Sequence, residues 1–245
     1  ETVMLIWSAL APLVLLAAAA FAALRRGRRP RHVAAVAELA ALAALAASAA
    51  GLVQWLVTGP ALVRIGAGPL VLALRLDVVS AIVTLLVAFV GWVVVRYSRT
   101  YCDGADREGA FHALMLAALA ASLVLMQAGS LAVLIIAFIA TGAALRRLLL
   151  FYPHRHEAQR AAAKFTLVWR AGDVCLLIAG ILLVTAFGSA ETGAINAAAA
   201  AATDLPATAR VAIGFLALAA CLKTAAFPLN GWLTEVMEAP TPVSA

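Results

Sequence analysis

The stretch Leu222–Trp232 reads LKTAAFPLNGW and closes a long apolar run. It holds two residues that such a run should avoid. Lys223 carries a positive charge into it, and Pro228 interrupts the backbone ladder. Proline has no N–H, so the carbonyl of Thr224 loses its helical partner, and the ring disfavours a straight continuation. Why a chain accepts both so close together depends on what surrounds it.

The surroundings are a membrane. Mean hydropathy is +1.03, 65% of residues are hydrophobic and 12% are charged, far from the composition of a soluble globular domain. A bilayer core of about 30 Å takes roughly 20 helical residues. Stretches of that character lie at Met4–Leu24, Val33–Val57, Val79–Val95, Ala110–Met126, Leu131–Leu150 and Phe165–Phe187, and a further one runs from Arg210 through Lys223 to the proline. They are continuous in Ala, Leu and Val and lack the period-2 alternation of barrel strands. The sequence therefore predicts an all-α, polytopic membrane protein with about seven transmembrane helices in a single domain over residues 1–245. The last helix is expected to break at Lys223–Pro228. No basic residue precedes the first stretch and an arginine cluster follows it, which marks a true span rather than a signal peptide.

The arginines set the orientation. RRGRRPRH follows the first span; Arg96, Arg99 and Arg107 lie between the third and fourth; Arg146, Arg147, Arg155, Arg160 and Lys164 lie between the fifth and sixth. The alternate loops carry only Arg64, Arg75 and Arg210. By the positive-inside rule the N-terminus is outside and the arginine-rich loops are cytoplasmic. The net charge of +6 is then a topology signal and not a nucleic-acid footprint.

Little is expected outside the bilayer. Thr58–Leu76 contains LVLALRLD, a short alternating run that suits a strand or hairpin on the outer face. Gly188–Thr208 reads as a surface loop with one short helix. Cys102, Cys175 and Cys221 show no CxxC spacing and read as small hydrophobic residues. His154 and His156 form an HRH in a basic interfacial loop, better read as solvated than as a metal site. No phosphate loop, dinucleotide fingerprint, nucleophile elbow or redox-cofactor site is visible. The chain begins at Glu1 without an initiator methionine and stops just after MEAPTPVSA, and it reads as the N-terminal portion of a longer protein.

Charges inside spans single out the functional candidates. A charged side chain at the bilayer centre costs about 2.5–3.5 kcal/mol on translocon scales, so it faces protein or water and has a partner. Glu38 lies early in the second span, close enough to the cytoplasmic end to reach the arginine-rich loop. Arg170 and Asp173 are three apart in the sixth span, share a helix face and can pair with each other. Either a structural ion pair or a proton-relay step fits them. Lys223 has no acidic neighbour on its own segment. A lysine beside a broken helix suggests a hydrated cavity near mid-membrane, of the kind built at discontinuous transporter helices. Partial burial there suits a protonatable relay.

LKTAAFPLNGWLTEVMEAPTPVSA resembles the broken-helix signature of proton-conducting membrane subunits related to chain L of NADH-quinone oxidoreductase and to the Mrp antiporters. KFTLVWRAGDVCLL resembles the same family's K-x5-R-x-G-D pattern, and RLDVVSAIVTLLV resembles its third span. Within that family GWVVVRYSRTYCDG, LRRLLLFYP and MEAPTPVSA look more like the membrane subunit of DAB-type inorganic-carbon transporters. The resemblance implies that Lys223 is the broken-helix lysine, Pro228 its break, Arg170 and Asp173 the sixth-span pair, and Lys164 the lysine opening that span. One departure matters. Respiratory relatives carry a W-E pair in the fifth span whose glutamate partners the lysine, and here the residues are Phe138–Ile139. Asp173 is then the first choice as partner of Lys223, followed by an acid from outside this sequence.

The resemblance implies an ion-coupled subunit, driven by a gradient of protons or another cation, of a two-component uptake complex for CO2 or bicarbonate. Its large soluble partner on the cytoplasmic face would carry a carbonic-anhydrase-like zinc site, with no metal, cofactor or catalytic residue in this chain and no enzymatic activity of its own. The alternative is a proton-pumping subunit of NADH-quinone oxidoreductase or a cation/proton antiporter. The expected ion pathway comprises Lys223, Asp173, Arg170, Lys164 and Glu38.

Overall fold

The computed structural model describes residues 6–25, 32–66, 68, 71–105, 107–152, 156–224 and 241–244. Its elements run α1 (Ile6–Leu24), α2 (Val33–Thr58), β1 (Ala61–Ile65), β2 (Leu72–Leu76), α3 (Val78–Tyr101), α4 (Glu108–Met126), α5 (Leu131–Leu149), α6 (His156–Phe187), α7 (Thr192–Ala201) and α8 (Ala207–Lys223), followed by a helical turn at Thr241–Ser244. Five of these, α2 to α6, are long and apolar enough to cross a membrane. Of α1, the stretch Ala9–Leu24 counts as a shorter apolar helix, and α8 has 17 residues. The expected apolar stretches recur as helices at nearly the expected positions, with one extension, while five rather than seven of them meet the length and hydropathy of a span among the described residues. α6 begins nine residues before the apolar run and reaches 32 residues, about 48 Å at 1.5 Å per residue. Its first turns are held by burial of Ala158, Ala161 and Ala162.

The bundle is apolar on its outside. Leu39, Leu86, Leu167 and Ile181 are each more than half exposed, a surface suited to lipid and not to water. Its interior is built on small residues. Ala11 and Leu15 of α1, Ala37, Ala41 and Ala44 of α2, Ala88 of α3, and Leu116 and Leu123 of α4 form one continuous cluster. Alanine at these positions lets helix backbones approach, which matters in a bilayer because lipid removes the hydrophobic drive for helix association.

The two ends of the bundle differ in construction. At one end β1 and β2 pair antiparallel, with Leu62 opposite Arg75 and Arg64 opposite Ala73, as the alternating run requires. Backbone bonds tie the hairpin to the α4–α5 turn: Arg75 donates to Gln127 at 2.9 Å and Gly129 donates to Ala73 at 2.8 Å. The start of α7 joins the same knot, since Thr192 donates to Gly129 at 3.1 Å and Arg64 meets Glu191 at 3.0 Å. Asp77 then starts α3 with a reciprocal cap, accepting from the Ser80 amide at 2.7 Å while its own amide donates to the Ser80 hydroxyl at 2.8 Å. At the other end the side chain of Arg107, just before α4, donates to the carbonyl of Phe151, just after α5.

Candidate ion-coupling site

α8 packs along α6, and the sequence at their crossing is small where it has to be. A Cβ on Gly172 would lie 3.2 Å from Cγ of Lys223, tighter than an ordinary van der Waals contact, so glycine lets the lysine stem pass close to α6. The stem crosses α6 there and carries the ammonium to Asp173, whose Oδ1 lies 2.6 Å from Nζ. The side chains are 5% and 17% exposed respectively. Two aromatic faces complete the enclosure. Nζ lies 4.3 Å from the Trp169 ring centroid and 4.5 Å from that of Phe138, distances at which ring quadrupoles attract a cation. Trp169 is itself fixed, donating from Nε1 to the carbonyl of Phe138 at 3.3 Å. Gly142 of α5 sits under that indole, where any Cβ would collide with Nε1.

The sequence-derived candidates separate into groups. Asp173 takes the place of the glutamate that Phe138–Ile139 lacks, while Phe138 provides an aromatic wall. The i, i+3 spacing allowed Arg170 to pair with Asp173. The carboxylate instead reaches across to Lys223, and Arg170 has no ion-pair partner among the described residues. Arg170 lines a cavity of about 500 Å³ between α5 and α6, together with Arg146, Arg147, Trp169 and Asp173. Lys164 is an exposed residue of the early part of α6. Glu38 is placed elsewhere, in an ion pair with Arg99 at 2.8 Å and Arg96 at 3.8 Å. Among the described residues its partners come from the end of α3, and the arginines that follow Arg25 in the loop after α1 lie outside the described residues. α8 ends at Lys223, with the Thr224 amide donating to Ala220 at 2.9 Å and its hydroxyl to the same carbonyl at 2.7 Å. Pro228, the expected break, lies outside the described residues, as does His154 of the HRH segment.

Trp169 and the arginines at the end of α5 were not singled out as site residues by sequence reading. Trp169 had a usable signal, since it stands four before Asp173 and so shares its helix face. Chemically, the site is a buried base and acid at hydrogen-bond distance, with a cavity touching the acid. In a low-dielectric setting the ammonium–carboxylate and amine–carboxylic acid forms are related by one proton shift along a 2.6 Å contact. Isolated charge would be costly there, and the pair is enclosed on the lysine side and open to the cavity on the aspartate side.

A multi-pass, antiporter-like membrane subunit is the class this fold and site define. Residues 128–245 match the family model described as NADH:quinone oxidoreductase/Mrp antiporter, TM, and residues 63–111 match NADH-Ubiquinone oxidoreductase (complex I), chain 5 N-terminus. These regions are homologous to the membrane subunits of that family. Among curated relatives, a probable inorganic carbon transporter subunit DabB2 of Halothiobacillus neapolitanus is 38% identical over 192 residues, covering 78% of this chain and 35% of that protein. NADH-quinone oxidoreductase subunit L of Mycobacterium tuberculosis is 36% identical over 174 residues, covering 70% of this chain and 27% of that protein. The solved Mrp complex from Dietzia sp. DQ12-45-1b superposes with a TM-score of 0.79 at 27% identity, covering 97% of this chain and 26% of the matched chain. The chain spans about a third of the length of the carbon-transporter relatives it matches, 35% of one and 31% of another.

Proposed function

We propose that this chain is the proton-conducting membrane subunit of a two-component complex that takes up dissolved inorganic carbon. The observation that carries the proton role is the enclosed Lys223–Asp173 pair at 2.6 Å. Burying two charges costs several kcal/mol per ion, and the attraction between them seldom returns more than that, so such a pair is weakly explained by stability. It is well explained by a proton that must be held and passed on inside a membrane. Arg170, on the wall of the adjoining cavity, and Lys164, nearer the start of α6, extend the pathway toward the arginine-rich end. Glu38, paired with Arg96 and Arg99, is better accounted for as a fastening between α2 and α3. Carbon as the cargo rests on the relatives named as inorganic carbon transporter subunits at 38% identity.

In this reading the N-terminus is outside a bacterial inner membrane and the arginine-rich loops are cytoplasmic. Labelling of an Arg28→Cys variant from the periplasm of intact cells would overturn that orientation. A large soluble partner with a zinc site of the carbonic-anhydrase kind docks on the cytoplasmic face, and this subunit supplies the ion coupling without catalysing hydration itself. The test is growth at ambient CO2 of a host lacking carbonic anhydrase, with the full-length protein expressed alongside its partner. Lys223→Met and Asp173→Asn are each expected to reach the membrane, bind the partner and fail to rescue. A Lys223→Met variant that assembles and rescues like the parent would sink the proton role.

A second reading, a cation/proton antiporter or respiratory pump subunit, draws on the match of 97% of the chain to the Mrp complex structure. Co-purification separates the two. A soluble zinc protein supports carbon uptake, and a set of further membrane antiporter or quinone-oxidoreductase subunits supports the alternative.

A further inference from the structure

We propose that the cavity between α5 and α6 is a binding site for a small planar oxyanion of the bicarbonate or carboxylate type. Three guanidinium side chains, those of Arg146, Arg147 and Arg170, line its volume of about 500 Å³. None of the three has an ion-pair partner among the described residues. Asp173 is the one acid on its wall, and Lys223 already neutralises it at 2.6 Å. Among the described residues the space is therefore a cluster of positive charge without a counter-charge.

Helix ends explain part of this. Arg146 and Arg147 lie in the last turn of α5, where cations complement the macrodipole. Arg170 has no such reason, because it sits in the middle of α6, whose ends are His156 and Phe187. A lone guanidinium within a span is costly unless something meets it. Guanidinium groups are planar forks that pair bidentately with planar oxyanions and are more weakly hydrated than ammonium. The arrangement also has a direction. Arg146 and Arg147 stand at the helix end, where a dissolved anion would arrive, and Arg170 stands further in, beside the residue that holds Lys223. The volume leaves room for a four-heavy-atom ion together with several waters of about 30 Å³ each.

Such an anion would be linked to the proton. An anion in the cavity shares its wall with Asp173, the partner of Lys223, so binding there and the state of the pair are coupled. This goes beyond the proposed ion-conducting role, because it gives the same subunit a site for an anion.

The experiment uses the full-length protein with its partner subunit in lipid nanodiscs and titrates nitrate, formate and bicarbonate at constant ionic strength against chloride. Binding is read by calorimetry and by the shift in melting temperature. Saturable binding of the planar anions is expected, weakened about tenfold or more by Arg170→Gln and by the double change Arg146→Gln/Arg147→Gln. Arg170→Lys, which keeps the charge but not the planar fork, is expected to retain only part of the affinity. The comparison among variants removes any contribution from a zinc site in the partner. Equal affinity in parent and Arg170→Gln overturns the site, as does absence of saturable binding in the parent. So does a structure of the whole complex with an Asp or Glu side chain seated among the three arginines. The binding assay does not require uptake: a complex that binds nitrate yet fails to rescue growth refutes the carbon-uptake reading and leaves the anion site standing.

Discussion

Two carboxylates in this molecule, each mostly shielded, meet basic side chains at similar distances, and the settings of the two cations are opposite. Asp173 and Lys223 are 2.6 Å apart with side chains 17% and 5% exposed. Glu38 and Arg99 are 2.8 Å apart with side chains 19% and 55% exposed, and Arg96, the second cation near Glu38, is 64% exposed. The second contact joins α2 to the end of α3 and leaves both guanidinium groups free to swing into water or headgroups. An exposed pair of that kind contributes between about 0 and 1 kcal/mol. The first contact joins α6 to α8 inside the bundle and has two aromatic rings over the cation. Separation alone would rank them as equals. The medium around them decides that one is a fastening and the other a device.

The comparison breaks most sharply when one half of the buried pair is removed. Asp173→Ala leaves an ammonium enclosed by Trp169 and Phe138 with no counter-charge, and the expected loss of stability at neutral pH is about 3–5 kcal/mol. The double variant Asp173→Leu/Lys223→Met removes both charges and fills the space with apolar atoms. It is expected to be clearly more stable than Asp173→Ala and close to the parent. Unfolding by SDS titration of the detergent-solubilised protein measures both. If the double variant is no more stable than Asp173→Ala, the pair is structural and the case for a retained functional charge fails. Neither variant should support coupling, because the site needs a group that can take up and release a proton.

Much of this contrast was legible before any coordinates. Apolar run lengths gave the helices, and the alternation in LVLALRLD gave β2 with its hairpin. The loop after α6 was expected to contain a short helix and holds α7. Lys223 stood out through the energetic cost of its position, and the missing fifth-span glutamate pointed to Asp173 as its partner. What escaped reading has a common cause. Arg170 and Asp173 are neighbours along one helix, and local spacing permits their pairing, but the antiparallel contact of α6 with α8 brings Lys223 nearer. The close approach is eased by Gly172, whose contact with the lysine stem appears only when the opposite helix is in view. The same holds for Glu38. Its segment places it near the cytoplasmic end, while its contact with the arginines that end α3 is a matter of helix packing. Phe138 and Trp169 become walls of a site only because Lys223 of another helix lies over both rings. Sequence periodicity fixes which residues share a face of one helix; it does not say which face of which neighbour they will meet.

The smallest effect is expected at the exposed contact, and it tests whether burial is the right dividing line. Glu38→Gln keeps the side-chain shape and removes the charge facing Arg96 and Arg99. Both guanidinium groups can then turn to solvent without leaving a buried charge behind, so the loss should stay below about 1 kcal/mol and shrink further in high salt. Growth rescue by this variant should equal that of the parent, because α2 and α3 hold Glu38 while the proton site lies between α6 and α8. Assembly and rescue measured side by side give the answer. A Glu38→Gln protein that assembles normally but cannot rescue would place Glu38 on the ion path, and exposure would no longer separate fastening from function in this fold. A protein that rescues fully, while Asp173→Asn does not, confines the coupling chemistry to the enclosed pair.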